Sequence, residues 1–164
     1  MSGRLRAGLL RCPLGRAAFP GHDAGMETGH SDVTSEGVRV RVAAKYLPSQ
    51  SDPDQGQYVF AYRVLIQNEG TQRARLVSRH WIVRDANNER RDVRGPGVVG
   101  AHPDLAPGEQ FEYESGCVLS TSWGTMEGTY RMQREDGSQF EATIGRFFLA
   151  PTVAPVELLR TANS

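Results

Sequence analysis

From Val38 onward, apolar residues recur at every second position. Val38, Val40 and Val42 alternate with Arg39 and Arg41, which predicts a strand with one buried face. Tyr58, Phe60, Tyr62, Val64 and Ile66 line one face of a second strand, and Val59, Ala61 and Leu65 line the other, so this strand is expected at the centre of a sheet. Residues 73–85 predict a third, with Val77, Trp81 and Val83 on one face and Leu76, His80 and Ile82 on the other. In residues 110–119, Phe111 and Tyr113 alternate with Glu112 and Glu114. Residues 124–135 place Met126, Gly128, Tyr130 and Met132 on one face, and residues 139–149 present Phe140, Ala142 and Ile144. Asn68-Glu69-Gly70, Pro107-Gly108 and Asp136-Gly137 supply the turns between them. No window carries a helical stripe. Short strands separated by turn signals predict an all-β fold, an antiparallel β-sandwich of about seven strands.

This pattern covers only part of the chain. Residues 1–36, rich in Gly, Arg, Ala, Pro and Ser, lack any sustained period and are expected to be a disordered N-terminal extension. Met26 lies inside it, so residues 1–25 also read as a gene-model artefact ahead of the true start, with a basic targeting arm as the competing reading. The sandwich is expected over residues 37–151 and a tail over residues 152–164. One domain suits 164 residues.

The 19 basic and 19 acidic side chains balance, which gives no sign of a nucleic-acid or membrane surface. Arg4, Arg6, Arg11 and Arg16 against Asp23 give residues 1–25 a net charge of +3, which leaves the remainder at −3. Two cysteines, Cys12 and Cys117, do not make a disulfide scaffold, and no apolar run reaches the ~18 residues of a membrane span, so a soluble cytoplasmic protein is expected.

Gly95-Pro96-Gly97-Val98-Val99-Gly100 spells Gly-x-Gly-x-x-Gly. In a dinucleotide fold this motif joins a buried strand to a helix N-terminus that meets a pyrophosphate. Here Arg90-Arg91-Asp92-Val93-Arg94 before it is too charged for a buried parallel strand, and Pro103 after it opposes a helix start. The motif is therefore expected to be a loop between strands. Two readings stay open: a backbone nest in which Gly95, Gly97 and Gly100 present N–H groups to phosphate beside Arg90, Arg91 and Arg94, or a tight bend over a sandwich edge.

Several blocks in fixed order resemble the bacterial ApaG family, whose domain also occurs in eukaryotic F-box proteins. They are Tyr58-Val59-Phe60-Ala61-Tyr62-Arg63, Ser78-Arg79-His80-Trp81-Ile82-Val83, the glycine motif, Pro107-Gly108-Glu109, Phe111-Glu112-Tyr113, Ser115-Gly116, and Gly124-Thr125-Met126-Glu127-Gly128-Thr129-Tyr130. The resemblance implies an immunoglobulin- or fibronectin type III-like sandwich and a role in cobalt tolerance and magnesium efflux. It also implies pyrophosphate or nucleotide binding at the glycine motif, although Pro96 stands where relatives commonly carry an acid.

The residues themselves favour binding over catalysis. Ser115 and Cys117 share a face with Phe111 and Tyr113 and lack a nucleophile elbow, so Cys117 is expected to be a small buried hydrophobe. Strand alternation separates His80 from Arg79 and Trp81, and Trp81 is expected between the sheets. His22, His30, His80 and His102 are too dispersed for a zinc or cobalt site, and Ser51-Asp52-Pro53-Asp54 reads as a solvated turn, so no metal site and no cofactor are expected. The reading is a non-catalytic module, not an enzyme, that binds a partner protein or a phosphate-bearing ligand. A partner surface is expected near Val98, Val99 and Trp123. Exposed edge strands make a homodimer plausible. The alternative reading is a phosphohydrolase of dinucleoside polyphosphates.

Overall fold

The computed structural model describes residues 4–6 and 29–151. Its strands are β1 (Arg4–Arg6), β2 (Gly29–Ser35), β3 (Val38–Tyr46), β4 (Tyr58–Asn68), β5 (Ala74–Asp85), β6 (Arg90–Pro96), β7 (Asp104–Leu105), β8 (Gln110–Leu119), β9 (Gly124–Gln133) and β10 (Gln139–Leu149). One sheet runs β1-β8-β4-β3-β2, the other β10-β9-β5-β6, with β7 paired to β5. Apart from the parallel β1–β8 pair, every pairing is antiparallel, which makes the expected sandwich. Among the described residues no helix is long and apolar enough to cross a membrane.

Alternation fills the space between the sheets. Val38, Val40, Val42 and Ala44 of β3 and Phe60, Tyr62, Val64 and Ile66 of β4 face Met126, Tyr130 and Met132 of β9 and Ala142 and Ile144 of β10, all buried. β4 is central and covered on both sides, since Leu47 of the β3–β4 connection packs on its outward Val59 and Ala61. Ser51 pins that connection: its hydroxyl donates to the Leu47 carbonyl at 2.8 Å and accepts from the Val59 N–H at 2.9 Å. Trp81 sits between the sheets, as expected, with its ring 5.3 Å from Tyr62 and edge-on to Tyr130 and Phe147.

The structure corrects three readings. The domain begins a strand earlier than residue 37, because Gly29–Ser35 forms β2 instead of belonging to a disordered extension. Three of its four inward positions are Gly29, Ser31 and Ser35, which weakens the hydrophobic signal, yet this smallness lets it lie against β10, where the Ser35 hydroxyl accepts the Thr143 N–H at 3.1 Å. Second, Gly95 and Pro96, expected in the loop, close the strand Arg90–Pro96; as an exposed sheet edge it tolerates charges that a buried strand would not. Third, the faces assigned to β5 hold only in its second half. A bulge between Leu76 and Ser78 shifts the register by one residue, so Ala74 and Leu76 point inward before it and Trp81 and Val83 after it, while Val77 does not join the core. The suggested start at Met26 and the tail over residues 152–164 lie outside the described residues.

At the centre of the core the Tyr113 and Tyr130 hydroxyls share a hydrogen bond. Burial pushes both phenols well above their ordinary 10.0, because neither can ionise without charging the core. A folded-state value raised above the unfolded one leaves stability intact below pH 10 and removes it as the pH rises further. Unfolding free energy is therefore expected to fall above pH 10, by about 1.4 kcal/mol per pH unit for each of the two tyrosines. Denaturant melts across this range, with Tyr130→Phe roughly halving their joint slope, check it.

Candidate functional site

The bulge at Val77 exposes backbone groups that β6 and β9 cannot pair, and the segment after β6 satisfies them. The Gly97 N–H donates to the Val77 carbonyl at 3.0 Å, and the Leu76 N–H donates to the Pro103 carbonyl at 2.9 Å. His102 Nδ1 lies 3.2 Å from the Leu76 carbonyl. Between them Val98 and Ala101 exchange two backbone hydrogen bonds of 2.9 and 2.8 Å around Val99-Gly100. Positive φ at both turn residues, 46° and 76°, is the signature of a type I′ turn. Val98 at its base is fully buried, which removes it from the partner surface expected near Val98 and Val99; Trp123 is exposed at 44%.

Arg79 locks this loop from inside. It follows the bulge on the same face as Trp81, and its guanidinium donates from NH1 to the Pro96 carbonyl at 3.0 Å and the Gly97 carbonyl at 2.8 Å. Gly95 is its register partner, and a Cβ there would lie 3.0 to 3.1 Å from three guanidinium atoms. Gly97 has φ +61° and would place a Cβ 2.3 Å from the Ala101 carbonyl oxygen. These two glycines are thus required by internal packing. Gly100 is required only by its turn, and open space surrounds it.

The six residues expected to hold phosphate do not converge on the loop. The Gly97 N–H is spent on Val77, Pro96 has none, and Gly95 lies within β6. Arg91 turns toward the other sheet, where its guanidinium donates to the Cys117 sulfur at 3.7 Å. Arg90 and Arg94 stand on the outward face of β6, beside Asp92. Arg90 grips Asp92 with two hydrogen bonds of 2.7 and 2.9 Å, and His80 Nε2 reaches the same carboxylate at 2.7 Å. Arg90 first, then His80, hold that carboxyl well below the usual range. Since Asp92 is ionised, Nε2 carries the proton, which leaves Nδ1 of His80 for another partner.

Arg94 has only a loose pairing, 3.8 Å from Asp92, and its side chain is 72% exposed. Beside it a shallow depression of about 340 Å³ opens on the outer face of the β6-β5-β9-β10 sheet. Ser78, His80, Arg94, Thr129, Arg131 and Glu141 line it, together with Arg79 and Gly95 at its edge toward the loop. Arg131 is 3.9 Å from Glu141, a weak exposed pair, so two loosely paired guanidiniums and two hydroxyls share the depression with one carboxylate. Of the residues expected to hold phosphate, Arg94 and Gly95 lie here; Ser78, His80, Thr129 and Arg131 were missed as a group because they meet only across strand registers.

Cys117 is the buried hydrophobe expected. Burial pushes its thiol up to about 11, so it holds no thiolate near neutral pH. Among the described residues no group of three His, Cys, Asp or Glu is placed to hold a metal ion.

Known proteins share the sandwich and much of the sequence. The family model described as the ApaG domain matches residues 48–134. A protein called ApaG from Dechloromonas aromatica is 52% identical over 120 residues, which cover 73% of this chain and 94% of the relative. Another from Anaeromyxobacter dehalogenans is 51% identical over 128 residues, covering 78% of this chain and 98% of the relative. The crystal structure of a putative ApaA protein from Bordetella pertussis superposes with a TM-score of 0.69 at 52% identity, covering 73% of this chain and 97% of that one.

The two arginines nearest the loop should behave oppositely on substitution. Arg79→Ala strands the Pro96 and Gly97 carbonyls and is expected to cost about 2 kcal/mol in denaturant melts. Arg94→Ala is expected to stay within about 0.5 kcal/mol of the parent. An Arg79→Ala protein as stable as the parent would remove the locking role.

Proposed function

Because this chain belongs to the ApaG domain family, we propose that it is a non-catalytic binding module whose outer-sheet depression takes a phosphate-bearing ligand. The observation that carries this reading is the charge arrangement: Arg94 and Arg131 flank the Ser78 and Thr129 hydroxyls with Glu141 as the one carboxylate. Guanidiniums provide charge-assisted donors that match phosphate oxygens, and the hydroxyls add neutral ones. His80, held through Nε2 by Asp92, lines the same depression. The proposed ligand thus sits on the sheet face beside Gly95 and away from the Gly97–Gly100 turn, where the Gly97 N–H is spent on Val77.

Binding without turnover is favoured by the chemistry of the candidate nucleophiles. The Cys117 thiol is buried and protonated, and Asp92 is committed to Arg90 and His80. By this binding the module would act in the cytoplasm in the cobalt tolerance and magnesium efflux that the family resemblance implies, with the ligand as its signal.

Titration with inorganic pyrophosphate and with nucleotides under NMR is expected to shift Ser78, His80, Arg94, Thr129 and Arg131. Arg94→Ala and Arg131→Ala should each weaken binding about fivefold, the equivalent of about 1 kcal/mol, and added salt should weaken it further. Shifts confined to Gly97–Gly100 would return the ligand to the glycine loop. Hydrolysis of a dinucleoside polyphosphate that survives purification and is lost in Arg94→Ala would contradict the non-catalytic reading.

A further inference from the structure

The two long sides of the sandwich end differently. On one side β2 lies against β10, with a Cβ on buried Gly29 placed 1.9 Å from the Phe148 carbonyl oxygen, so no space remains there. On the other side, among the described residues, β6 pairs with β5 alone. Its register runs without interruption from Ser78↔Pro96 to Arg84↔Arg90. Backbone bonds at both ends of this ladder fix which residues pair inward: Gly97 N–H to Val77 carbonyl at 3.0 Å, and Asp85 N–H to Glu89 carbonyl at 3.1 Å. Hydrogen-bonded pairs alternate in an antiparallel ladder, so Arg91, Val93 and Gly95 bond to β5, and Arg90, Asp92 and Arg94 turn their N–H and C=O groups away from it. Pro96 ends this row, with no N–H and its carbonyl held by Arg79.

We infer that the free edge of β6 accepts an extended acidic segment of a partner protein as an added antiparallel strand. The backbone of Arg90, Asp92 and Arg94 provides the hydrogen bonds, as in other strand-addition modes of recognition. Charge selects the occupant. Arg90, Arg91 and Arg94 against Asp92 give the strand a net charge of +2, and Asp92 stays ionised under Arg90 and His80. A second copy would bring the same charge to the same edge, whereas an acidic segment neutralises it. Geometry refines the pattern. Residues opposite Arg90 and Arg94 are acidic, the residue opposite Asp92 is neutral, and the one opposite Val93, which is 37% exposed, is apolar. This edge uses backbone groups that the phosphate-binding depression does not, so pyrophosphate failing to bind leaves the inference standing.

A capped peptide containing Glu-Val-Thr-Glu-Glu, aligned against Arg94 through Arg90, tests it. At millimolar concentration it is expected to shift the Arg90, Asp92 and Arg94 amides and slow their hydrogen exchange. Replacing its glutamates by lysines should weaken binding at least about tenfold. N-methylation of the residues facing Arg94, Asp92 and Arg90 should abolish binding, because their N–H groups point at β6, whereas methylation of the two intervening residues should leave it within about twofold. The inference fails if the first N-methylated peptide binds as well as the parent, which would mean charge alone, or if the parent peptide does not bind. Concentration-dependent protection of the same amides without peptide would overturn it in favour of a second copy.

Discussion

The one-residue bulge at Val77 is the constraint on which this end of the molecule depends. It lets β5 present Leu76 and Trp81 to the same core although their spacing would put them on opposite faces. A bulge leaves backbone groups without ladder partners, and the chain after β6 returns across them: Gly97 bonds Val77, Pro103 bonds Leu76, and His102 lies against the Leu76 carbonyl. The bulge also sets the phase of Arg79, which crosses bare Gly95 and ties the Pro96 and Gly97 carbonyls. Arg79 is also the register partner of Tyr130, so the strut lies beside the buried Tyr113–Tyr130 pair.

With the loop occupied by its own protein, the basic groups near it become available on the other face. Alternation sends Arg79 inward and His80 outward, and the register carries Arg94 to His80 and Thr129 alongside. Asp92 is consumed by Arg90 and His80, which leaves Arg94 and Arg131 as the loosely held cations of the outer sheet. One architectural requirement thus separates an arginine tied into the fold from loosely paired ones on the exposed face.

Much of this was legible from the chain. β3, β4, β8 and β9 follow their period-two patterns, Trp81 lies between the sheets, and Cys117 is buried as its neighbours Phe111 and Tyr113 implied. β2 was invisible because a strand packed close to a neighbour needs small inward residues, and Gly29 and Ser31 carry no hydrophobic signal. β6 was not predicted, and its Gly95 and Pro96 were placed in a loop, because a charged run ending in Gly-Pro-Gly contradicts a buried strand but not an edge. The bulge left no mark in the alternation of Leu76, Val77 and Trp81, since apolar residues stand at both parities. The outer-face depression gathers Ser78, Arg94 and Arg131 from three strands, and only the register brings them together.

The glycine motif therefore serves the fold, and the chemistry open to a ligand lies on the sheet beside it. Amide hydrogen exchange at Gly97 tests this most directly. If its N–H is committed to Val77, it exchanges only as slowly as the surrounding core opens, and saturating pyrophosphate leaves its rate unchanged. Fast exchange that slows when pyrophosphate is added would mean that the N–H is free for phosphate, and the account would be wrong at its centre.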